Sequence, residues 1–429
     1  MVGIRYTIWA FAASMPQAIA QSCANINPAQ AATFASGYSG RVVMNGLRTP
    51  RGLIFDNEGN MLTTEQGGYG VRYIQLNDYG GTNVCVKSSK QLIQDSSINH
   101  GIALTPDGKK LFVSSLTTVW AWDYDGTTGT VSNKKTVVQG MNNGGFHRSR
   151  TLVIPRAQPD TLLVQRGSQD NVDTPAAQQS TGRSMIRAFK ISSILNAPAD
   201  YLAGEVLAWG LRNTVGVGEH PNGGIWSVDN GVDDMQRAGR DIHHTNPCEE
   251  LNYHGQVNNT ADPERGGHHG YPECYAVWDP SVIPNAAQLG LTVGTPFVMG
   301  NPGGSNTDAM CQARKAPKLC FPSHTAPLDI KFNRNGTAAY IPFHGSWNKS
   351  PPDGFRLSRV NWNPATGMPV EPSTSTTAAI NIMYNANTGT CPNRCFRPVN
   401  VAFSPGGKLF MTSDTTNEIW VIGGPINEA

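Results

Sequence analysis

Residues 98–115 read INHGIALTPDGKKLFVSS: two polar residues and a glycine, an apolar run, a Pro-Asp-Gly turn and a second apolar run. Two short runs joined by a Gly-containing turn predict an antiparallel hairpin. Five relatives of this stretch follow the same order. They are TPRGLIFDNEGNMLTTE from Thr49, HRSRTLVIPRAQPDTLLVQRG from His147, GLRNTVGVGEHPNGGIWSVDNG from Gly210, TAPLDIKFNRNGTAAYIPFHG from Thr325 and FRPVNVAFSPGGKLFMTSD from Phe396. Strand-built repeats of this size are the mark of a β-propeller, and the number of copies predicts six blades.

The lead-in to each hairpin is as informative as the hairpin. In a propeller the innermost strand of every blade starts near the axis, so the residues just before it face the mouth of the central channel. Here they are Arg51, Asn99, His100, His147, Arg150, Arg212, Asn213, His324 and Arg397. Small or apolar filler would suffice for structure alone. A ring of cations and hydrogen-bonding groups points to an anionic or strongly hydrogen-bonding ligand, although propeller channels are often polar for structural reasons.

Composition agrees with an all-β toroid in a single domain. The 429 residues include 46 Gly and 29 Pro, only 15% are charged, and the net charge is +2. No Lys/Arg run stands out, so nothing supports a nucleic-acid partner. Arg5, the apolar run Tyr6 to Ala13 and Ala18-Ile19-Ala20 read as a secretory signal over residues 1–20, too short to span a membrane. The expectation is therefore a secreted, monomeric, single-domain protein over 21–429, with the propeller at roughly 41–425.

The eight cysteines are Cys23, Cys85, Cys248, Cys274, Cys311, Cys320, Cys391 and Cys395. An even number in a secreted chain suggests disulfides. Pairing nearest neighbours gives 23–85, 248–274, 311–320 and 391–395. Sequons at Asn258, Asn335 and Asn348 permit glycosylation. The stretch 232–324 carries four of the cysteines and little strand patterning. It is expected to form a long disulfide-pinned insertion between blades four and five, beside the channel mouth.

Several segments combine into a more specific pattern: GGFHRSRTLVIP from Gly144, GLRNTVGV from Gly210, VDNGVDDM from Val228, EELNYHG from Glu249, HHGYPEC from His268, FHGSWNKSPPDGF from Phe343 and RCFRPVNV from Arg394. In these ordered motifs the chain resembles the soluble sugar dehydrogenases that use pyrroloquinoline quinone (PQQ) and calcium on a six-bladed propeller. It looks similar in particular to the secreted fungal PQQ-dependent pyranose dehydrogenases, and the resemblance runs over nearly the whole mature chain.

The resemblance implies that His147 is the general base, taking the proton of the anomeric hydroxyl as hydride leaves C1 for the quinone. It implies that Arg212 stabilises the charge that develops on the quinone oxygens and that Asn213 holds the same edge. Arg397, Lys349, Asn99 and His324 match cofactor-contacting positions; where the family often has a second Arg this chain has Cys395, for which either Arg394 compensates or a disulfide with Cys391 reshapes that wall. Gly231 and Val232 match the turn whose main-chain oxygens hold calcium, with the nearby Asp229, Asp233 and Asp234 as further ligands or, the preferred readings, as groups behind the ligands or a solvated acidic turn. Trp347 stacks on sugar or quinone, or is blade packing. The implied substrates are free pyranoses, L-fucose among them. The implied electron acceptor is a cytochrome or a copper-dependent polysaccharide oxygenase.

Two other classes stay open on the residues alone. A calcium-dependent lactonase or esterase propeller would hold its metal at the axis through side chains such as Glu65, Asn99, Asn213 and Asp329. A non-enzymatic propeller would use the same mouth to bind a glycan or protein.

Overall fold

Each quoted repeat folds into the first two strands of a blade built on four antiparallel strands; among the described residues six such blades are present, three of them extended by one or two further short strands. In the second, Ile102–Leu104 pairs with Lys110–Ser114 across the Pro-Asp-Gly turn. Gly108 sits there at φ +71°, where an L side chain would be strained. The computed structural model describes residues 1–3, 21–141 and 145–426. The secretory signal read at 1–20 therefore lies almost wholly outside the described residues.

Blade one runs Pro50–Phe55, Met61–Glu65, Gly70–Asp78 and Val84–Ile93, and blade two continues through Val119–Asp125 and Thr130–Gln139. Blade three is Leu152–Val153, Thr161–Arg166, Met185–Lys190 and Glu205–Trp209. Blade five is Lys331–Phe332, Ala338–Phe343, Arg356–Asn363 and Ile380–Tyr384. Blade six takes three strands from the C-terminal end, Pro398–Phe403, Leu409–Ser413 and Glu418–Gly423. Its outermost strand, Ser39–Met44, comes from near the start of the chain, with Ser39 opposite Gly423. The ring is closed by main-chain hydrogen bonds between its two ends.

Side chains alternate across each strand, so each sheet offers one apolar face to the blade before it and one to the blade after. Phe410 packs with Leu53, Met61 and Ile74 of blade one, while its neighbour Met411 packs with Tyr340 and Leu357 of blade five. The core is thus a ring of inter-blade layers. Near the axis the layers are stapled by hydroxyls. Thr64 Oγ1 accepts from Gly52 N (2.8 Å) and donates to His100 O (3.0 Å). Ser114 Oγ repeats this with Gly101 N (3.0 Å) and Arg150 O (2.7 Å), and Thr412 Oγ1 with Asn400 N (3.1 Å) and Arg51 O (2.9 Å). Each staple joins an inner strand to the lead-in of the next blade, which fixes where the channel-mouth residues sit.

The stretch 232–324 corrects the sequence expectation in detail. It contains the two outer strands of blade four, Glu249–Gln256 and Leu319–Phe321, which complete the sheet begun by Gly216–Glu219 and Gly224–Asp229. The added chain therefore lies within blade four, before and after Glu249–Gln256. It has its own core, in which Val232, Met235, Ile242, Tyr271, Tyr275 and Phe297 pack together. The disulfides are 23–85, 248–320, 274–311 and 391–395. Sequential pairing fails for the middle two because Cys248 leads into Glu249–Gln256, which pairs directly with the strand carrying Cys320. Cys274 and Cys311 close the cap separately.

Candidate active site

The lead-ins of blades three, four and five, with the loops after their second strands, enclose a cavity of about 170 Å3 at one mouth of the channel. His147, Arg212, Asn213, Asn230, Gly231, Asp233, Glu249 and His324 line it. Phe146 and Trp347 stand at its rim, 65% and 66% exposed. A larger cavity of about 370 Å3 occupies the opposite end, where inner strands finish at Phe55, Leu104, Val153 and Phe403, and is walled mainly by their backbone and aliphatic side chains.

His147 Nδ1 is 2.7 Å from Ser168 Oγ, and that hydroxyl donates to Asp170 O at 2.7 Å. A hydroxyl has one proton to give. Since the carbonyl takes it, His147 Nδ1 must carry the hydrogen that binds Ser168, and Nε2 keeps its lone pair. Burial, reinforced by the Arg212 guanidinium, holds the imidazole well below its usual pKa. The ring is neutral and in one tautomer, with its basic nitrogen free.

Arg212 is fixed by its neighbours. Nε donates to Asn171 O (3.0 Å), and one terminal nitrogen donates to Asn171 Oδ1 (2.7 Å) and Asp233 Oδ2 (3.0 Å). Its backbone N–H, with those of Asn213 and the Thr214 hydroxyl, donates to the buried carboxyl of Asp229. Asp233 also lies 3.5 Å from His324 Nδ1, and His324 Nε2 donates to His243 O at 2.6 Å. Burial opposes a charge on His324, but the Asp233 and Glu249 carboxylates outweigh it and raise its pKa. His324 and Ala326 both have left-handed backbones, at φ +61° and +51°. Such strain in non-glycine residues is characteristic of functional sites. Glu249 Oε2 accepts from Gly231 N (2.8 Å) and Oε1 from Ala326 N (3.2 Å), tying the blade-four turn to this strained segment.

The structure thus brings His147, Arg212, Asn213, Gly231 and His324 together. Val232 is adjacent but turned into the cap core. Asn99 lies in a neighbouring groove, with its amide donating to Arg148 O. Arg397 donates to the carbonyls of His344 (3.0 Å) and Gly345 (2.9 Å) and so braces a cavity wall. Lys349 reaches Ser323 O and Asp353 around the outside. Arg394 is exposed on the turn closed by Cys391–Cys395. Of the other channel-mouth cations, Arg150 clasps the carbonyls of Leu116, His147 and Ser149, and Arg51 pairs with Asp414 at 2.9 Å.

Sequence reading did not single out Ser168, Asn171, Asn230 or Glu249. Their roles depend on which loops meet, which no local pattern announces. The acidic turn did contain a signal: Asp233 is the partner shared by Arg212 and His324. The side chains of the hydrolase reading do not converge. Glu65 is bound by Arg72, and Asp329 by Lys331 and Val401 N. Among the described residues no group of three or more His, Cys, Asp or Glu could hold a metal.

The TrAA12-like family profile matches residues 32–425. The chain belongs to this family. It is 43% identical over 414 residues to a "Pyrroloquinoline quinone-dependent sugar dehydrogenase" of Hypocrea jecorina, covering 94% of this chain and 92% of that one. It is 38% identical to a "Pyrroloquinoline quinone-dependent pyranose dehydrogenase" of Coprinopsis cinerea, covering 91% of this chain and 55% of the longer relative. The solved holo PQQ domain of the Coprinopsis cinerea pyranose dehydrogenase superposes with a TM-score of 0.87 at 37% identity, covering 93% of this chain and 98% of that domain. The propeller architecture and the family membership expected from the motifs are both borne out.

Proposed function

We propose that the protein is a PQQ- and calcium-dependent sugar dehydrogenase that oxidises free pyranoses at C1 to the lactone. The observation that carries this reading is the His147–Ser168–Asp170 chain, which presents an unprotonated Nε2 at the rim of a cavity walled by Arg212 and His324. It is supported by the two curated relatives and the holo PQQ domain.

The residues suit the cofactor. PQQ carries three carboxylates and needs fixed cations; Arg212 faces the cavity, as does His324, whose pKa the neighbouring carboxylates raise. Asn213 Oδ1 is buried there without a partner. At Gly167 a Cβ would come within 2.8 Å of His147 Cβ and 3.0 Å of Asn213 Oδ1, so the bare backbone keeps the wall between base and cavity thin. When bound, PQQ supplies a two-electron hydride acceptor. His147 Nε2 accepts the anomeric hydroxyl proton, and the fixed tautomer means no ring rearrangement precedes that transfer. Arg212, held by Asn171 and Asp233, keeps its positive charge facing the cavity, where it would stabilise negative charge developing on a bound quinone.

Calcium would be held by the main-chain oxygens of Gly231 and Val232, hard ligands appropriate to that ion. The cap core anchors this turn and Glu249 orients it. Asn99, Lys349, Arg394 and Arg397 are proposed as outer cofactor contacts. The protein is further proposed to be a secreted monomer, glycosylated on one or more sequons. It would pass electrons to a separate cytochrome or copper-dependent polysaccharide oxygenase.

The test is titration of the apoprotein with PQQ and calcium, followed by dye reduction on a panel of free sugars that includes L-fucose. Calcium-dependent activity should appear, and His147→Ala should lose roughly 10²-fold or more of kcat. If no PQQ binds in the presence of calcium, the reading fails and lactones are the substrates to try next.

A further inference from the structure

The loop after the second strand of blade three, residues 168–173, holds both halves of the candidate site. Ser168 and Asp170 O set the tautomer of His147, and Asn171 binds Arg212. Asn171 also grips the blade-four turn, accepting from Asp233 N and donating to Asp233 O, each at 2.9 Å. The loop has no helix or strand of its own, so its shape must be imposed by contacts from elsewhere. Tyr271 supplies them. It is 2% exposed and belongs to the cap core, outside the cavity. Its hydroxyl meets three main-chain groups of the loop: Asp173 N donates to it at 2.6 Å, and it donates between Asp170 O and Asn171 O, 3.2 Å from each. Burial pushes the Tyr271 hydroxyl up to about 12, so the donor proton stays in place. The residue is anchored at its backbone too, since Tyr271 N donates at 3.0 Å to Gly210 O, just before Arg212.

We propose that Tyr271 is a positioning residue for the base, acting from the cap through the loop it clasps. The inference rests on the dehydrogenase reading for the reaction that His147 serves. Ser168 has one hydroxyl proton and two acceptors in reach, His147 Nδ1 and Asp170 O, each at 2.7 Å. While the carbonyl is held in place it takes that proton, and Nε2 remains the basic nitrogen. Without the Tyr271 hydroxyl, the peptides carrying Asp170 O and Asn171 O lose their shared donor and can turn. Ser168 can then donate to Nδ1, which moves the imidazole proton to Nε2, where it blocks acceptance from a sugar hydroxyl. The same turning loosens Arg212, whose Nε is bound to Asn171 O.

Tyr271→Phe keeps the ring in the cap core and removes only the hydroxyl. Tyr275→Phe is the control, because Tyr275 packs in the same core and its hydroxyl is buried without a partner. In apoprotein carrying isotope-labelled histidine, ring-nitrogen shifts distinguish the two tautomers, and the signal missing from His147→Ala is that of His147. Wild type and Tyr275→Phe should show the Nδ1–H form alone, and Tyr271→Phe a mixture with Nε2–H. In the PQQ- and calcium-loaded enzyme, Tyr271→Phe should lower kcat about tenfold while KM for glucose moves less than about twofold. Tyr275→Phe should change neither. A wild-type His147 that is not in the Nδ1–H form overturns the proposal. So does an unchanged tautomer in Tyr271→Phe, even with a lowered melting temperature, since that marks a purely structural residue. Failure of the dehydrogenase reading looks different: no dye reduction with any sugar, while the tautomer difference persists.

Discussion

At the residue scale the working unit is a histidine whose protonation is set by what surrounds it. Burial and Arg212 depress the His147 pKa, and the neutral form is the one the proposed general base requires. kcat/KM should therefore stay level as pH falls through 6.5 and decline only well below it. Removing the cation should let the pKa rise, so the acid limb of Arg212→Gln should lie at higher pH even though its rate is lower. Loss of one such stabilising group typically costs about 10²–10³-fold in kcat. Ser168→Ala should lower kcat while leaving KM little changed, because it frees the imidazole to adopt the other tautomer. His147 and the Arg212-Asn213 pair were legible because they stand at fixed places in a repeat. Ser168 and Glu249 were not, since a serine and a glutamate earn their roles only from loops brought together by the ring.

At the scale of elements, blade four does the most. Its inner end gathers three buried carboxyls whose pKa values burial pushes up: Asp229 to about 6, Glu249 to about 7, and Glu250, beside the Asp229 charge, to about 8. Each binds its proton more tightly folded than unfolded. Their contribution to stability is thus complete below the ordinary carboxyl pKa and fades as pH climbs through the folded values. The melting temperature should fall between about pH 5 and pH 8, and Glu250→Gln should flatten the upper part of that slope. Non-reducing peptide maps should recover the 248–320 and 274–311 links. The same blade shows where sequence reading stopped. Glu249–Gln256 reads EELNYHGQ, whose polar groups bury against cap and cavity instead of alternating in and out, so the stretch did not look like a strand.

At the scale of the whole molecule, the ring depends on close approach of backbones near its axis. A Cβ on Gly101 would lie 2.0 Å from Arg150 O, and one on Gly52 2.2 Å from His100 O. Both contacts are to main chain, which has no rotamer to yield. Gly101→Ala should cost at least about 3 kcal/mol, beyond the usual range for a point change, and should show as a lowered denaturation midpoint. Deleting residues 39–44 should destabilise the ring by removing the edge strand of blade six, and deleting 418–423 should be worse, because that strand pairs with both Ser39–Met44 and Leu409–Ser413. Six blades were countable in the sequence because the inner hairpins repeat. That the last blade borrows its edge strand from the opposite end was not, since Ser39–Met44 resembles any other outer strand.

That borrowed strand has a consequence for synthesis. A ribosome delivers Ser39–Met44 early, and its partner Glu418–Gly423 only after almost all the rest has emerged. Throughout that interval the nascent chain carries an unpaired strand edge and the apolar side chains of Val42 and Val43, which are buried only in the finished ring. Exposed edges of this kind recruit other chains. Yield from a foreign host should therefore respond to translation speed over the codons for blade six and to chaperones that shield early segments, more than to conditions that favour any single blade.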